Sequence, residues 1–471
     1  MAILQSSQIL RQYDSRSGHN IKTFYDSSSA QIQAMVMVDD EGDLISSQHT
    51  IGNGNGLDVN IRTLNGQASD SFGRMRVSEL YSMFESTSRY DIDDSSWTTL
   101  GTDNAGTVAH DPVNATIKLE TTAAIDDNAV LTSIKNFRYQ PGKSQLVMQT
   151  LSIVNPTEVN CDRRWGYFDG DNGLFWGIID GVFGVGIRNN GTETFIPQEN
   201  FNRDKLDGTG DLGLAVDLTK SQIYYISFQF LGVGIVEFGV YCRDGRIIPA
   251  HVFQNANSQT YSYMQTALLP LRYECRNDNT VAPVATCGIN VLCATVNSES
   301  GSEPLYSIVN SISNDDFVDT TDASETPILS IRAKTAISGV RNKVEVVPTQ
   351  LSIGCENKSV IIRLRENCNL TNSTFSGDIG IQSSIEYDTA ATALGAVDLP
   401  NLLTNRLVET FVVNAGESEI IDLERIFAAN KQSLTYNNAN LQESLTITMQ
   451  KVGSQGTEAS VLSSLTWSEI R

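Results

Sequence analysis

The chain has 471 residues, of which 40% are hydrophobic and 19% are charged, and its formal net charge is −22 at pH 7. This length accommodates about three average domains, or fewer if the chain is all-β. The acidic balance argues against nucleic-acid binding, which needs clustered Lys and Arg. A membrane span is not expected either, because the sequence lacks a run of about 18 apolar residues.

Residues 1–70 contain too little apolar sequence to support an independent core. They hold one strand-like run at 32–38 and a stretch at 52–66 in which glycine alternates with polar residues. Such a segment becomes ordered most easily on a partner, so we predict an extended N-terminal docking arm. The first residues also lack the apolar stretch of a secretion signal, which predicts synthesis in the cytoplasm.

Residues 71–309 show the two-residue periodicity of half-buried β-strands. In the run 223–230 aromatic and aliphatic residues alternate between the two faces, and the run 236–242 follows the same period. The Asp-Gly dipeptide at 244–245 is a hairpin signal between two such runs. Several short strands separated by turns predict a β-sandwich of the jelly-roll kind over this region.

Residues 310–327 form an acidic, Ser/Thr-rich stretch that we predict to be a linker. Beyond it the alternation returns at 360–365 and 445–450, which predicts a second β-sandwich over 328–471. One short helix is predicted around 423–430. The fold class expected for the whole chain is therefore all-β, with two sandwiches in tandem after an extended N-terminal arm.

Cysteine and histidine offer no pattern for metal binding or nucleophilic catalysis. The seven cysteines include no CxxC pair and are expected to be reduced thiols, although four of them, from Cys242 to Cys293, leave a single sulfur cluster open. None of the four histidines has a metal-ligand neighbour at i+2 to i+4, and no GxSxG motif is present. We therefore predict no cofactor, no metal and no enzyme.

One segment combines aromatic side chains with carboxylates. Aromatic faces beside carboxylates suit a sugar-binding site, and paired carboxylates can also cleave a glycosidic bond. The plainer interpretation is a β-hairpin with an Asp-Gly-Asp-Asn-Gly turn, whose flanking aromatics fill the core. With core packing kept as the main alternative, the candidate carbohydrate-binding residues are Trp165, Tyr167, Asp169, Asp171 and Trp176.

The same hairpin has two further interpretations. It is similar to a calcium loop, but Gly173 stands at the third ligand position and Leu174 replaces the required glycine, so only a calcium site of another kind stays open. Catalysis would need Asp169, Asp171 or Asp180 as the reacting carboxylates.

A series of motifs occurs in a fixed order along the chain. They are FGRMRVSEL (Phe72–Leu80), SRYD (Ser88–Asp91), GTVAH (Gly106–His110), FRYQPGKSQL (Phe137–Leu146), RWGYFDGDNGLFW (Arg164–Trp176), DKLDGTG (Asp204–Gly210), FQFLGVGIVEFG (Phe228–Gly239) and LPLRYE (Leu269–Glu274), followed by TPILSIR (Thr326–Arg332) and LTWSEIR (Leu465–Arg471). Together they resemble a widespread family of virion structural proteins from tailed bacteriophages, common in aquatic phages and described as fibre, spike or minor structural proteins.

The resemblance implies a place on the surface of the virion and brings no established catalytic residues. We expect a non-enzymatic fibre, spike or decoration that forms a homotrimer and binds other virion proteins through its N-terminal arm. Host-surface glycans are the expected outer ligand. Two alternatives stay open, which are a capsid decoration or cement protein without a receptor role and a polysaccharide-degrading spike.

Overall fold

The computed structural model of the protein describes residues 80–470 apart from short gaps, together with four two-residue strands nearer the N-terminus. The gaps are 102–104, 211–212, 244, 300–306, 321–323, 378, 380–382, 396–403, 428–431 and 454–457. Residues 1–64 are a unit of their own, in which two strand pairs are described. These are the antiparallel pairs β1 (Phe24–Tyr25) with β2 (Gln31–Ile32) and β3 (Thr50–Ile51) with β4 (Gly54–Asn55). The rest of the predicted docking arm lies outside the described residues.

The first sandwich consists of an eight-stranded and a seven-stranded antiparallel sheet. The eight-stranded sheet contains β5 (Leu80–Thr87), β7 (Thr107–Asp111), β8 (Thr116–Thr121), β10 (Gln145–Val154), β15 (Gln222–Phe228), β16 (Val236–Tyr241), β17 (Ile247–Phe253) and β19 (Cys287–Glu299). The seven-stranded sheet contains β6 (Trp97–Leu100), β9 (Asn128–Ser133), β11 (Cys161–Phe168), β12 (Gly173–Ile179), β13 (Val182–Asn189), β14 (Thr192–Pro197) and β18 (Leu271–Asn277), and a 3₁₀ turn (Gln198–Asn200) follows β14.

The order of the strands places β10 and β19 at the centre of the larger sheet. That order is β17-β16-β15-β10-β19-β8-β7, and β5 pairs with the C-terminal half of β19 while β8 pairs with its N-terminal half. The smaller sheet has the order β14-β13-β12-β11-β18-β9-β6. Inward-facing side chains of both sheets form one core in which aromatic residues are prominent, as expected from the alternation along the strands.

The second sandwich has two five-stranded antiparallel sheets. One contains β20 (Ser307–Ser313), β21 (Val318–Thr320), β25 (Glu345–Cys355), β31 (Ser418–Asp422) and β33 (Ala459–Ile470). The other contains β22 (Thr326–Ala333), β26 (Val360–Glu366), β28 (Ile385–Asp388), β30 (Arg406–Val413) and β32 (Ser444–Lys451). Two short pairs complete it, namely β23 (Ala336–Ile337) with β24 (Val340–Arg341) and β27 (Leu370–Thr371) with β29 (Ala393–Leu394).

The second core is mainly aliphatic, and it includes the fully buried Trp467 of β33. Two residues further on, the buried carboxylate of Glu469 accepts hydrogen bonds from the Ser383 hydroxyl (2.7 Å), the Ser384 N–H (2.8 Å) and the Asn310 amide (2.8 Å). A buried charge is tolerated when donors surround it in this way. The all-β fold of two sandwiches predicted from the sequence is confirmed.

The stretch predicted as a linker is part of the second sandwich. Within 310–327, strands β20 and β21 both pair with β33, and the Asn314 side chain accepts hydrogen bonds from the Ser463 N–H and hydroxyl, both at 2.7 Å. Pro327 lies inside β22, next to a shift in strand register, where a missing N–H does little harm. For the described residues of this stretch the linker prediction is therefore wrong, because β20 and β21 pair with β33.

The predicted helix at 423–430 forms one turn, α1 (Glu424–Phe427), and residues 428–430 lie outside the described residues. Among the residues that the structure describes, no helix has the length and apolar character that a membrane crossing requires.

The two sandwiches contact each other through polar groups within one compact unit. The Lys135 ammonium donates to the Ser433 carbonyl at 3.0 Å. The Asn438 N–H donates to the Ile134 carbonyl at 2.9 Å, and its side-chain amide donates to Asn136 at 3.2 Å. These bonds join the segment after β9 to the segment before β32.

Candidate functional site

The aromatic residues of the predicted sugar site are part of the core. Trp165, Tyr167 and Trp176 point between the two sheets and are 0% exposed. The Trp176 ring stacks on Phe183 with centroids 5.5 Å apart, and the Tyr167 hydroxyl donates to the Ala267 carbonyl at 2.8 Å. A buried ring offers no face to a sugar, so these three residues are not carbohydrate ligands in this structure, and the alternative of core packing applies to them.

The carboxylate of Asp169 joins the two sandwiches. Its Oδ1 accepts the N–H groups of Asp171 and Asn172 at 2.9 and 2.8 Å, and its Oδ2 accepts the Lys343 ammonium of the second sandwich at 2.9 Å. Lys343 also donates to the Leu268 carbonyl at 3.2 Å. Burial raises the pKa of Asp169, but Lys343 and these N–H groups outweigh burial and hold the pKa below its usual range. The Asp169 carboxylate is thus already paired with a cation, the Lys343 ammonium.

The remaining carboxylates of the hairpin do not come together as a pair. Asp171 is exposed, and its carbonyl accepts the Gly191 N–H at 2.8 Å. Asp180 follows the far end of β12, where its carboxylate accepts the Asn160 N–H at 2.9 Å. The seven residues of β12 span about 20 Å. Glycosidase carboxylates are at most about 9.5 Å apart, so Asp169 and Asp180 do not form such a pair.

The outer face of the seven-stranded sheet is closed by arginine side chains, and we call it the arginine-capped face. Phe168 and Phe175 lie on it, yet both are fully buried. The guanidinium carbon of Arg188 lies 5.1 Å from the Phe168 ring and 5.8 Å from the Phe175 ring, and that of Arg164 lies 5.7 Å from Phe175. A Cβ added at Gly186 would lie 2.3 Å from the Phe175 ring, so the absence of a side chain lets the ring lie flat on β13.

Ion pairs hold these arginines in place. Arg164 pairs with Glu193 at 3.1 Å, and Arg272 pairs with Glu274 at 2.8 Å. The side chain of Glu274 is only 4% exposed. Burial raises its pKa, but Arg272, Arg276 and two further arginines outweigh burial and hold the pKa of Glu274 at about 2. The arginine-capped face is therefore a closed layer in which arginine and glutamate side chains pair with one another.

The outer face of the eight-stranded sheet carries a groove of about 660 Å³, which we call the open groove. Strand register places its residues in two rows that cross β15, β10, β19 and β5. One row is Ile223, Thr150, Cys293 and Thr87, and the other is Met148, Thr295 and Glu85. The second row continues on β15 to Tyr225, a buried residue that does not line the groove. Apolar, hydroxyl and carboxylate groups thus alternate over a short distance on one surface.

Glycine and a β-bulge shape this surface. The Tyr225 ring lies across Gly239, where an added Cβ would be 2.5 Å from the ring, and its hydroxyl donates to Glu237 at 3.0 Å. The pairing of β10 with β19 shifts register between Thr150 and Leu151, next to the first row. Bulges of this kind redirect side chains and are frequent beside functional sites.

The polar groups of the open groove differ in the number of hydrogen bonds that they make within the protein. Thr295 donates its hydroxyl to the Phe84 carbonyl at 2.9 Å. Asp93, at the rim, accepts the Ser95 N–H and the hydroxyls of Ser95 and Ser96 at 2.9, 2.5 and 2.6 Å. By contrast, the exposed carboxylate of Glu85 makes no hydrogen bond or ion pair with any residue that the structure describes.

Hydroxyl groups and apolar surface complete the open groove. Thr87 is exposed, Thr150 and Met148 are half-buried, and Ile223 is 38% exposed. Such a surface can hold a ligand that has both C–H faces and hydroxyl groups. In the described part of the chain, no group of three or more His, Cys, Asp or Glu side chains is arranged to hold a metal ion.

Cys293 gives the open groove a thiol. It is exposed, whereas Cys161, Cys275, Cys287 and Cys355 are buried and the other two thiols are half-buried, and all seven are free. Burial of its sulfur raises the pKa of the Cys293 thiol, so the neutral form dominates at pH 7.

Sequence reasoning missed the open groove entirely. Its members are ordinary strand residues separated by up to about 200 positions in the chain, from Glu85 to Thr295. The alternation in 223–230 did indicate which residues of β15 face away from the core. It did not indicate that β10, β19 and β5 lie beside them, because strand neighbours are set by long-range pairing.

No protein-family model matches the chain, and neither does any curated protein sequence. Among solved structures, the Emp47p carbohydrate recognition domain is similar at 8% identity and a TM-score of 0.29, over 48% of this chain and 98% of that domain. The legume lectin-like domain from Entamoeba histolytica is similar at 9% identity and a TM-score of 0.28, over 46% and 98%. A glycosyl hydrolase family 16 protein from Mycobacterium smegmatis is similar at 11% identity and a TM-score of 0.29, over 46% and 100%. The fold assignment rests on the sheets described above.

Proposed function

We propose that this chain is a structural protein displayed on the surface of a tailed-phage virion, and that its first sandwich binds host-surface glycans in the open groove. The observation that carries the glycan part is the groove itself, with hydroxyls and an unbonded carboxylate over apolar floor residues. Pyranose rings offer the complementary surface, because they combine a C–H face with hydroxyl donors and acceptors.

The virion part is supported by the ordered motifs in the sequence, and the structure indicates what those motifs build. Phe137 packs on Phe84 with ring centroids 5.0 Å apart, and Tyr139 stacks on Phe228 at 5.9 Å. The motif that ends at Glu274 supplies the central carboxylate of the arginine-capped face. The motifs thus belong to the frame of the sandwich, which is consistent with a resemblance to structural proteins.

The proposal includes the assembly expected from that resemblance. The N-terminal arm binds other virion proteins, and three copies of the chain form one fibre, spike or decoration on the particle surface. The polar contacts between the sandwiches, such as Lys343 with Asp169, support a projecting body in which both sandwiches move together.

Localisation on intact particles tests the virion part. An antibody against residues 328–471 is expected to label the surface of particles in immunogold or cryo-electron microscopy. Particles that lack this protein are expected to adsorb poorly to the host while keeping their stability. Normal adsorption with reduced stability would favour the cement protein, and particles without any label would contradict the virion assignment.

Blocking the open groove tests the glycan part. A bulky maleimide coupled at about pH 8.5 should react first with Cys293, the exposed thiol. The coupled protein is expected to lose binding on a glycan array. The variant Cys293→Ser, treated in the same way, is the matched control and should keep binding. Equal binding by the coupled and uncoupled proteins would exclude the groove as the glycan site.

A further inference from the structure

The charged groups of the open groove all have one sign. Among the described residues that line it, only Glu85 and Asp93 are charged, and none is Lys, Arg or His. Lys118 of β8, a basic residue of the same sheet, is paired with Asp111 at 2.7 Å. A ligand in this groove therefore meets two carboxylates and no cation among the residues that line it.

The two carboxylates do not have the same freedom to bind a ligand. Asp93 already accepts three hydrogen bonds from Ser95 and Ser96, which stabilise the turn before β6. Burial raises the pKa of Asp93, but these bonds outweigh burial and lower the pKa, so the carboxylate stays ionised. Glu85 is left as the acceptor with both oxygens available.

We infer that Glu85 determines the specificity of the groove and selects glycans that carry no acidic substituent, an inference that rests on the proposed function. An ionised carboxylate has two acceptor oxygens and can take O–H donors from two neighbouring hydroxyls of one sugar ring. Thr295 lies directly opposite Glu85, and Met148 lies next in the same row. The ring would place its hydroxyl pair on Glu85 and its C–H face toward Met148.

The same charge rejects sulfated, phosphorylated and uronic-acid glycans. Two like charges about 5 Å apart repel even at the high effective dielectric of a protein surface. A factor of about ten or more in affinity between a neutral glycan and its sulfated form is the expected outcome.

The test compares the full-length protein with three variants on neutral oligosaccharides and on their sulfated and uronic-acid counterparts. Glu85→Gln keeps the shape but removes the charge, Glu85→Lys inverts the charge, and Glu120→Gln removes an exposed acid of β8 outside the groove. Wild type and Glu120→Gln are expected to prefer the neutral glycans. Glu85→Gln should bind them about tenfold more weakly and lose the discrimination, and Glu85→Lys should prefer the anionic glycans.

Three outcomes would contradict either the proposed glycan function or the inference about Glu85. If wild type binds no glycan of either kind, the proposed glycan function fails. If wild type binds glycans but prefers the anionic ones, or if Glu85→Gln keeps the wild-type ratio of neutral to anionic binding, the inference about Glu85 fails while the glycan function stands. Unchanged melting temperatures of all variants would show that the ratios do not arise from misfolding.

Discussion

The two outer faces of the first sandwich are made from the same kind of alternating strand, yet one is closed and the other is open. On the arginine-capped face, Phe168 and Phe175 lie flat on the sheet beneath guanidinium groups that are only about a tenth exposed. On the other face, the groove residues Glu85, Thr87 and Cys293 remain exposed. The face rich in aromatic and arginine residues is thus closed by its own side chains, whereas the face that carries the open groove stays accessible to solvent.

The two faces also differ in whether their carboxylates are paired. Arg188 donates to Glu193 at 2.9 Å at the edge of the capped face, so these two charges are paired with each other. Glu85 lies beside hydroxyls and has no such partner among the described residues. If the two faces differ in this way, substitutions on the capped face should change stability, and substitutions in the open groove should change binding.

The largest effect is expected in the core between the faces. Trp176→Ala removes a fully buried ring that stacks on Phe183, which should lower the free energy of unfolding by about 3–5 kcal/mol. Differential scanning calorimetry measures the change, with Tyr261→Ala, at an 82% exposed position, as the control. A Trp176→Ala protein that kept its stability but lost glycan binding would restore the sugar-site interpretation of the hairpin.

A similar but pH-dependent effect is expected on the arginine-capped face. The folded-state pKa of Glu274 lies at about 2, below its ordinary value of 4.5, so its stabilisation is present above about pH 4.5 and is lost as the pH falls toward 2. The difference corresponds to about 3 kcal/mol. Glu274→Gln should cost about that amount at pH 7, because Arg272 loses its carboxylate.

The pH profile distinguishes this mechanism from simple loss of packing. Between pH 4.5 and 2 wild type should lose more stability than Glu274→Gln, so that the two unfolding curves converge in acid. Urea unfolding at a series of pH values is the measurement. A constant gap between wild type and variant over this range would mean that the carboxylate's charge does not stabilise the capped face.

A smaller loss of stability is expected at Gly186, where the absence of a side chain leaves room for the Phe175 ring. Gly186→Ala places a methyl group 2.3 Å from that ring, and displacing the ring should cost about 1–3 kcal/mol. Gly170→Ala, in the turn of the same hairpin, is the matched control because nothing lies within 4 Å of its added Cβ. Equal melting temperatures for the two variants would show that the ring moves freely and that the face is less tightly closed.

The sequence predicted the strands much better than the site. The runs 223–230, 236–242 and 360–365 correspond to β15, β16 and β26, since alternation reflects burial on one side and is local information. The segment 310–327 was misjudged, since Asn314 and Asp319 are polar residues that pair with β33 and resemble a loop in composition. Polar residues on a sheet edge cannot be told from a linker without knowing their partner strand.

The candidate site was misplaced for a related reason. Trp165 and Asp169 are close in sequence, and an aromatic residue close to a carboxylate is typical of a sugar-binding site. Burial of the ring and capture of the carboxylate by Lys343 depend on the opposite sheet and on the second sandwich. Glu85 and Thr295 face each other only through the pairing of β5 with β19, which no local pattern encodes.

The smallest effect on stability is expected in the open groove, where the same chemical change can be made on both sides of one sandwich. Thr150→Val removes a half-buried hydroxyl that makes no hydrogen bond with the described residues, so the free energy of unfolding should change by no more than about 0.5 kcal/mol while glycan binding weakens. Thr132→Val removes a buried hydroxyl that donates to the Leu271 carbonyl at 3.2 Å, and it should cost about 1–3 kcal/mol. Calorimetry and glycan binding on both variants test the contrast. If Thr150→Val proved as destabilising as Thr132→Val, the Thr150 hydroxyl would stabilise the sheet, and this result would contradict its proposed role in binding.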